Sequence, residues 1–311
     1  MMRSIGKARR WMVQQLPRTY RATARTVGTV SGRDARRSVR LLREEVTRLR
    51  ERAYANGFSV PSSEHVAVLD CLGPRELSVR SQNGEDGVIQ ALLGVTGVGN
   101  RTFFEIGVEA GRECNTRALA EFRGWSGTMV DGDKAKVVAG RAEHARERLG
   151  GLIHFEQRFV TVDNVMEIID GLETAPHLIS IDVDGNDYWI WEAVTTTPAI
   201  VIVEYNASCG PTRACTVPYQ ADFTWEQTGE REYFHGASLV ALASLGESKG
   251  YALVHADAAG ANAFFVRTDL LPADWKPADP SRLWRRHDSR SRFVDPTQQE
   301  AICRTLPFVE V

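Results

Sequence analysis

The chain has 311 residues, 43% of them hydrophobic and 25% charged, a composition that excludes collagenous, wholly disordered and small disulfide-stapled proteins. No segment approaches the ~18–20 consecutive apolar residues of a membrane-spanning helix, and no signal-peptide pattern is present, so we expect a cytoplasmic protein whose membrane contacts are at most peripheral. The net charge is −2, but residues 1–55 contain fifteen Lys/Arg and four Asp/Glu, so the basic start and the acidic remainder must have different partners.

Residues 1–60 are predicted to form a basic N-terminal arm. Its first thirty or so residues show no sustained apolar period and are interrupted by Pro17, Gly28 and Gly32, so we expect disorder or a weak helix there. From residue 34 onward, apolar side chains recur every three or four positions, which is typical of an amphipathic helix. These side chains are Val39, Leu42, Val46, Leu49 and Ala53. This 39–53 seam suits homodimerisation, docking on an anionic membrane or nucleic acid, or packing on its own domain.

A linker is expected at 61–77, a catalytic domain at 78–271, and a C-terminal tail packing on that domain at 272–311. Apolar runs that alternate with helical patterns indicate βαβ units. The predicted strands are 102–107, 128–131, 153–160, 178–182, 200–205, 251–255 and 263–268. Helices are predicted near 113–123, 134–149, 164–172, 187–194 and 237–249. The last two strands are too close for a helical crossover, so they should form an antiparallel hairpin. The fold class is therefore α/β, a doubly wound, mostly parallel seven-stranded sheet of Rossmann-like type.

The first predicted strand runs into a glycine-bearing turn with Gly107 and Gly111. Ligands of nucleotide type bind at the carboxyl ends of such strands, where glycine lets the backbone approach closely. The three-glycine spacing that holds a pyrophosphate is absent. Glu105 and Glu109 would repel a pyrophosphate but attract the cationic methionine end of S-adenosylmethionine.

The following strands also end in acids and amides. Asp131, with Asp133 as the second choice, is placed to accept hydrogen bonds from ribose hydroxyls, although Asp133 also fits a helix cap. Asp163 and Asn164 follow the third strand, where adenine would lie, and Asn164 is equally suited to capping a helix.

Strands four and five deliver Asp182, Asp184, Glu204 and Asn206 toward one crevice. Like charges there need a proton or a cation, so either one carboxylate acts as general base or the set holds Mg²⁺. Asp182 and Asp184 are the preferred catalytic acids. His235, after a long aromatic insertion at 207–234, is a candidate base or ligand.

Five short motifs carry a family resemblance: SQNGEDG at 81–87, FEIG at 104–107, NT at 115–116, GWSG at 124–127 and IDVDG at 181–185. Together they resemble the FkbM-like methyltransferases, over about residues 78–268. The resemblance implies a class I S-adenosylmethionine fold and O-methylation of a sugar, polysaccharide or secondary-metabolite hydroxyl. It also implies that Gln82 and Asp86 close over the methionine end of the cofactor and that Asn115 with Thr116 shapes the pocket floor.

The chain departs from this family at Asp184 and Asp131, where members often carry Glu, so the metal or base role stays open. Two other functions compete with methyl transfer. Asp182-Val183-Asp184 is a D-x-D that could hold a metal for a sugar-nucleotide glycosyltransferase. A non-catalytic scaffold that uses the basic arm is the other.

Overall fold

The computed structural model describes residues 32–57 and 60–311, so the expectation for the first thirty residues lies outside it. The chain divides into two units, Met1–Leu49 and Arg50–Val311. In the first, the described residues belong to helix α1 (Gly32–Asn56), which continues into the second. Within the described residues, no helix is both long and apolar enough to cross a bilayer.

The second unit is built on one seven-stranded sheet in the order β3-β2-β1-β4-β5-β8-β7. Its strands are β1 (Thr102–Ile106), β2 (Ser126–Asp131), β3 (Ile153–Gln157), β4 (Leu178–Ile181), β5 (Ile200–Glu204), β7 (Tyr251–Ala256) and β8 (Asn262–Arg267). Neighbours from β3 to β5 pair in parallel, and β8 pairs antiparallel with both β5 and β7. The predicted doubly wound sheet with an antiparallel closing hairpin is confirmed. A small second sheet pairs β6 (Cys215–Thr216) with β9 (Val309–Glu310).

The remaining helices lie on both faces of the main sheet or in its connections. They are α2 (His65–Leu69), α3 (Glu85–Thr96), α4 (Arg117–Arg123), α5 (Lys134–Arg146), α6 (Val165–Asp170), α7 (Asp187–Ala193), α8 (Leu239–Ser248), α9 (Pro280–Leu283) and α10 (Pro296–Thr305). Helix α3 was not predicted. Its N-cap is Gly84 at φ 106° instead of Ser, Thr, Asp or Asn, and it is buried on nearly all sides, so neither a cap signal nor an amphipathic period marks it.

Two apolar layers cover the sheet because successive strand residues point to opposite faces. In β1, Phe103 packs into one layer with Met129 and Leu178. The next residue, Phe104, packs into the other layer with Val130. The strands thus read as continuous apolar runs, as parallel strands covered on both faces should.

The segment 61–77 differs from the expected linker. Val68, Leu69 and Leu72 are buried in the same layer as Phe103, because the short helix α2 turns its apolar side inward. Beyond the sheet, the tail packs on the 207–235 insertion. Trp284 Nε1, for example, donates to the Ala207 carbonyl at 3.1 Å.

Candidate functional site

Two adjoining cavities of about 630 and 520 Å³ open at the carboxyl ends of β1, β2 and β4. This is the edge of the sheet where ligands of doubly wound folds bind. Six residues line both cavities: Gly107, Glu109, Asp182, Asp184, Trp225 and Gln227. The two spaces are therefore parts of one crevice.

Gly107 lies at the narrowest point between β1 and β4. Its φ is 80°, and a Cβ added there would be 1.5 Å from the Asp182 carbonyl oxygen. Only glycine tolerates both the left-handed backbone and this close approach. The backbone of β1 is thus exposed to the crevice without a side chain in front of it.

Asp131 ties the end of β2 to the end of β1. Its Oδ2 accepts from the Glu109 backbone N–H at 2.7 Å, and its Oδ1 accepts from the Asp133 N–H at 2.8 Å. A carboxylate has about four acceptor positions, so each oxygen keeps one for a ligand hydroxyl. Asp133 instead accepts from the N–H groups of Ala135 and Lys136 at the start of α5, which is the capping role that competed with ribose binding.

The acid near the end of β1 and the acid in the turn after it have different surroundings. Glu105 is 4% exposed and accepts from the Asn115 N–H at 2.7 Å and from both the N–H and the hydroxyl of Thr116. Burial raises the pKa of Glu105 to about 7. Glu109 is exposed and pairs with Lys136 at 2.9 Å. Glu105 therefore anchors the loop before α4, and Glu109 forms part of the outer wall.

The residues implied by the family resemblance also separate. Gln82 lines the crevice and donates to Glu113 at 3.1 Å, and Asn115 lines it while donating to Ser180 at 3.0 Å. Asp86 is fully buried and does not line either cavity. Its Oδ2 accepts from the backbone N–H groups of residues 79–81 and from the Ser81 hydroxyl, so it positions the segment that carries Gln82.

Besides Asp86, three predicted cofactor residues do not face the crevice. The carbonyl oxygen of Gly111 lies 3.2 Å from Nε2 of His144. Asn164 is the N-cap residue of α6 by position, but its side chain bonds the preceding loop at Thr161 and Phe159. Asp163 is exposed beside it. After β3, Phe159 and Val160 line the crevice instead.

The deepest polar feature is an acid cluster of Asp182, Asp187 and Glu204, each offering a carboxylate oxygen within 4.8 Å of the others. Burial, followed by the neighbouring carboxylates, raises the pKa of Asp182 and of Glu204 well above the ordinary values. Burial also raises the pKa of Asp187 to about 7. The predicted metal set did not include Asp187. It accepts from the Val183 and Gly185 N–H groups, and it also completes the cluster.

Two residues of the predicted metal set lie elsewhere. Asp184 is exposed, has φ 57°, and is not one of the clustered acids. Asn206 is fully buried, donates to the carbonyls of Tyr233 and His235, and accepts from the Ser208 N–H. Its amide group is used to hold the insertion, so the structure corrects its assignment as a metal ligand.

His235 is 1% exposed, and its Nδ1 is 3.9 Å from Glu204 Oε2. Among the described residues, neither ring nitrogen has a hydrogen-bond partner, and Glu204 Oε2 has none. Burial lowers the pKa of His235 well below its usual value, and Arg290 of the tail adds to the shift. His235 therefore lies behind Glu204 as a neutral imidazole and does not itself line the crevice.

The roof of the crevice comes from the insertion, and sequence reasoning did not name its residues. Trp225 and Gln227 line both cavities, and Phe223 lines the one at the β2 end. The ring of Trp225 is 4.8 Å from that of His235, and the Arg290 guanidinium lies 5.5 Å above it. The only signal in the sequence was the aromatic content of 207–234.

No protein-family model matches the chain, and no curated protein matches it. Solved structures do resemble it. An O-methyltransferase from Bacillus cereus in complex with SAH is 18% identical over 54% of this chain and 67% of its own, with a TM-score of 0.32. An O-methyltransferase family protein from Burkholderia thailandensis is 12% identical over 59% of each chain, with a TM-score of 0.37. A cofactor-bound protein from MTB is 14% identical over 66% of this chain and 88% of its own, with a TM-score of 0.41. No residue role is carried over from them.

Proposed function

We propose that this protein is an S-adenosylmethionine-dependent O-methyltransferase. The observation that carries the proposal is the single crevice that joins the bare backbone at Gly107 to the carboxylate at Asp131. A nucleoside that carries an attached chain needs both features. Its ribose hydroxyls require an acceptor, and the attached chain must pass close to the end of β1. The acidic walls exclude a pyrophosphate and favour a cationic ligand.

The adenosyl group would occupy the cavity at the β2 end. Asp131 would accept from the ribose hydroxyls with its remaining lone pairs, and Phe159 with Val160 would contact the adenine. The methionine end would occupy the neighbouring cavity, where Gln82 and Asn115 offer hydrogen-bonding groups. The sulfonium would then lie near Asp182 and Asp184, which line both cavities.

The acceptor hydroxyl would lie between the methyl group and the acid cluster. Methyl transfer to an oxygen requires that its proton be removed, and a carboxylate with a raised pKa suits a general base. Asp182 and Glu204 are better placed for this than Asp187, because both line the crevice and Asp187 does not.

The cluster also fits a divalent cation, since three hard carboxylate oxygens converge there. Asp182, Asp187 and Glu204 would hold Mg²⁺. A cation bound there would lower the pKa of the acceptor hydroxyl.

The glycosyltransferase alternative has less support. Its D-x-D would need Asp182 and Asp184 to share one ion, but Asp182 groups with Asp187 and Glu204 instead. The walls near a bound diphosphate would also carry Glu105 and Glu109, which repel it.

The class of acceptor follows from the motif resemblance. We propose that the chain is FkbM-like, acts in the cytoplasm, and methylates a hydroxyl of a sugar, polysaccharide or secondary metabolite. The roof supports this, because Trp225 gives an apolar ring face and Gln227 a hydrogen-bonding amide at the mouth of the crevice. Such a pair suits a ring that carries hydroxyl groups.

Calorimetric titration with S-adenosylhomocysteine tests the cofactor assignment. Wild-type protein should bind it, and Asp131→Asn should weaken binding at least ~10-fold, because a hydrogen bond to a charged group contributes ~1.5–3 kcal/mol. Asp133→Asn is the matched control, since that acid lies two positions away and caps α5. It should leave affinity within about two-fold, given that Asn is a comparable cap. No binding by the wild type would contradict the proposed cofactor and favour the scaffold alternative.

We also propose that α1 pairs with a second copy of the chain. Leu42, Val46 and Leu49 are 38%, 38% and 54% exposed. With Val39 they place valine at one heptad position and leucine at the other, the combination that favours parallel two-stranded coiled coils. In that arrangement Glu45 faces Arg50 of the partner subunit. An antiparallel pair would set Arg43 against Arg50.

Sedimentation equilibrium with charge variants tests the pairing. Glu45→Arg should weaken dimerisation, and Glu45→Arg combined with Arg50→Glu should restore it. A monomeric wild type that pellets with phosphatidylserine vesicles would instead assign the seam to an anionic membrane surface.

A further inference from the structure

Three cysteines, two from the insertion and one from the C-terminal tail, meet in a small apolar cluster. Cys209 ends the 3₁₀ turn after β5, Cys215 begins β6, and Cys303 lies in α10 of the tail. All three are 0% exposed and pack together with Tyr233. In the sequence only Cys209 and Cys215 are close to each other, since 88 residues separate Cys303 from Cys215.

Cys209 is the central thiol of this group, which we call the thiol cluster. Side-chain interactions with Cys215 and then with Cys303 raise its pKa, and burial adds to the shift. The pKa of Cys215 is lowered, mainly by its interaction with Cys209 and further by the charge of Arg213. Arg213 is held beside the group by a bond from its Nη1 to the Cys303 carbonyl at 3.0 Å. Cys215 is thus the thiol most readily ionised, and a thiolate is the reactive form.

We propose that the thiol cluster is a disulfide-forming site in which a peroxide oxidises the protein and Cys209 becomes bonded to Cys303. This chemistry is separate from methyl transfer and does not depend on it. None of the three cysteines lines the crevice.

The reaction proceeds in three steps. The Cys215 thiolate attacks one peroxide oxygen, the O–O bond breaks, and the departing hydroxide takes a proton to give water. The Cys209 sulfur then attacks the resulting sulfenic acid, forming a Cys209–Cys215 disulfide, and the hydroxyl leaves as water with the Cys209 proton. Finally Cys303 attacks Cys209 and releases Cys215. One hydrogen peroxide and two thiols give one disulfide and two waters.

The last exchange is favoured by the leaving group. A thiol of lower pKa leaves faster from a disulfide, and Cys215 is the cysteine of the three whose pKa is lowered. The exchange therefore converts the Cys209–Cys215 disulfide into the Cys209–Cys303 disulfide. The product joins α10 to the turn that follows β5 and encloses the chain between residues 209 and 303. A cross-link around so long a loop restricts the unfolded state, so the oxidised protein should unfold at a higher temperature.

Non-reducing peptide mapping of the folded, full-length protein after hydrogen peroxide tests the proposal. We expect a linked Cys209–Cys303 peptide pair in the wild type, removed by dithiothreitol, and a Tm higher than that of the reduced protein. Cys303→Ser should stop at the Cys209–Cys215 bond. Cys215→Ser should slow oxidation at least ten-fold.

Cys71 and Cys114 are internal controls, the first exposed and the second buried away from the cluster. Oxidation of Cys71 while Cys209, Cys215 and Cys303 all stay reduced would overturn the proposal. So would a linked pair that includes Cys71 or Cys114. The wild-type map alone decides between these results, so the test survives even if a serine variant fails to fold.

Discussion

Replacing Gly107 by alanine tests the geometry on which the crevice depends. The added Cβ would lie 1.5 Å from the Asp182 carbonyl oxygen. That atom belongs to the backbone at the end of β4, and the neighbouring Asp182 N–H is bonded to the Ile106 carbonyl at 3.2 Å. No side chain can rotate away to relieve the contact. The ends of β1 and β4 would have to separate.

The loss in free energy of unfolding caused by Gly107→Ala has two parts, and a control variant separates them. Alanine in the left-handed region costs ~1–2 kcal/mol, and overpacking a rigid site costs ~1–3 kcal/mol more. Gly124 has a similar φ of 66°, but no atom of the described residues lies within 4 Å of a Cβ added there. Gly124→Ala should therefore show only the first part. Because the clash at Gly107 is with backbone, we expect the upper end of the second part, ~3 kcal/mol.

Thermal unfolding of both variants measures this difference. For a domain of this size each kcal/mol shifts Tm by ~2–4 °C, so Gly107→Ala should melt ~6–12 °C below Gly124→Ala. Titration with S-adenosylhomocysteine should show weakened binding for Gly107→Ala alone, since Gly124 does not line the crevice. Equal Tm values for the two variants would refute the close approach of the strands.

Two further outcomes are expected. Asp182→Asn should abolish turnover while S-adenosylhomocysteine affinity stays within about two-fold. EDTA should likewise abolish turnover of the wild type until Mg²⁺ is restored. A loss of affinity in Asp182→Asn equal to its loss of turnover would assign Asp182 to the cofactor site or to folding. Glu105 has a folded-state pKa of about 7 against ~4.5 when unfolded, so the folded chain holds the extra proton. The contribution of Glu105 to the free energy of unfolding, up to ~3 kcal/mol, is therefore fully present below pH ~4.5 and is lost as the pH rises to ~7. Urea unfolding of the ligand-free protein at pH 5 and pH 8 should show this loss, and Glu105→Gln should reduce it; an unchanged pH dependence in the variant would contradict the assignment.

The sheet could be predicted because its strands are apolar runs with few alternatives. Leu178–Ile181 and Ile200–Glu204 are buried on both faces, apart from the last residue, so their hydrophobicity is continuous and their boundaries are clear. The end of β3 was placed three residues too late, because the apolar residues Phe159 and Val160 follow the strand closely in the loop. Helix α3 was missed for the opposite reason, since burial on nearly all sides removes the amphipathic period.

The site was less predictable because its members depend on side-chain direction. Sequence reasoning brought Asp182 and Glu204 to one edge, since adjacent parallel strands end there. It chose Asn206 over Asp187, because distance along the chain does not reveal that Asn206 turns back to hold Tyr233 and His235. The lining residues Glu85 and Trp225 come from a missed helix and an irregular insertion, where no periodicity indicates direction.

The acids around the crevice act on stability and on ligand affinity in opposite directions. Asp182, Asp187, Glu204 and Glu105 all have raised pKa values because burial penalises their charged forms. Each one that ionises without a neighbouring cation destabilises the fold. A sulfonium, an amino group or a metal ion placed among them removes that penalty, because it binds best to the same charged forms. The free energy that the ligand-free fold loses as these groups ionise is thus available to a cationic ligand as affinity. Buried acids whose ionisation destabilises the ligand-free protein are best explained by a positively charged ligand that binds among them.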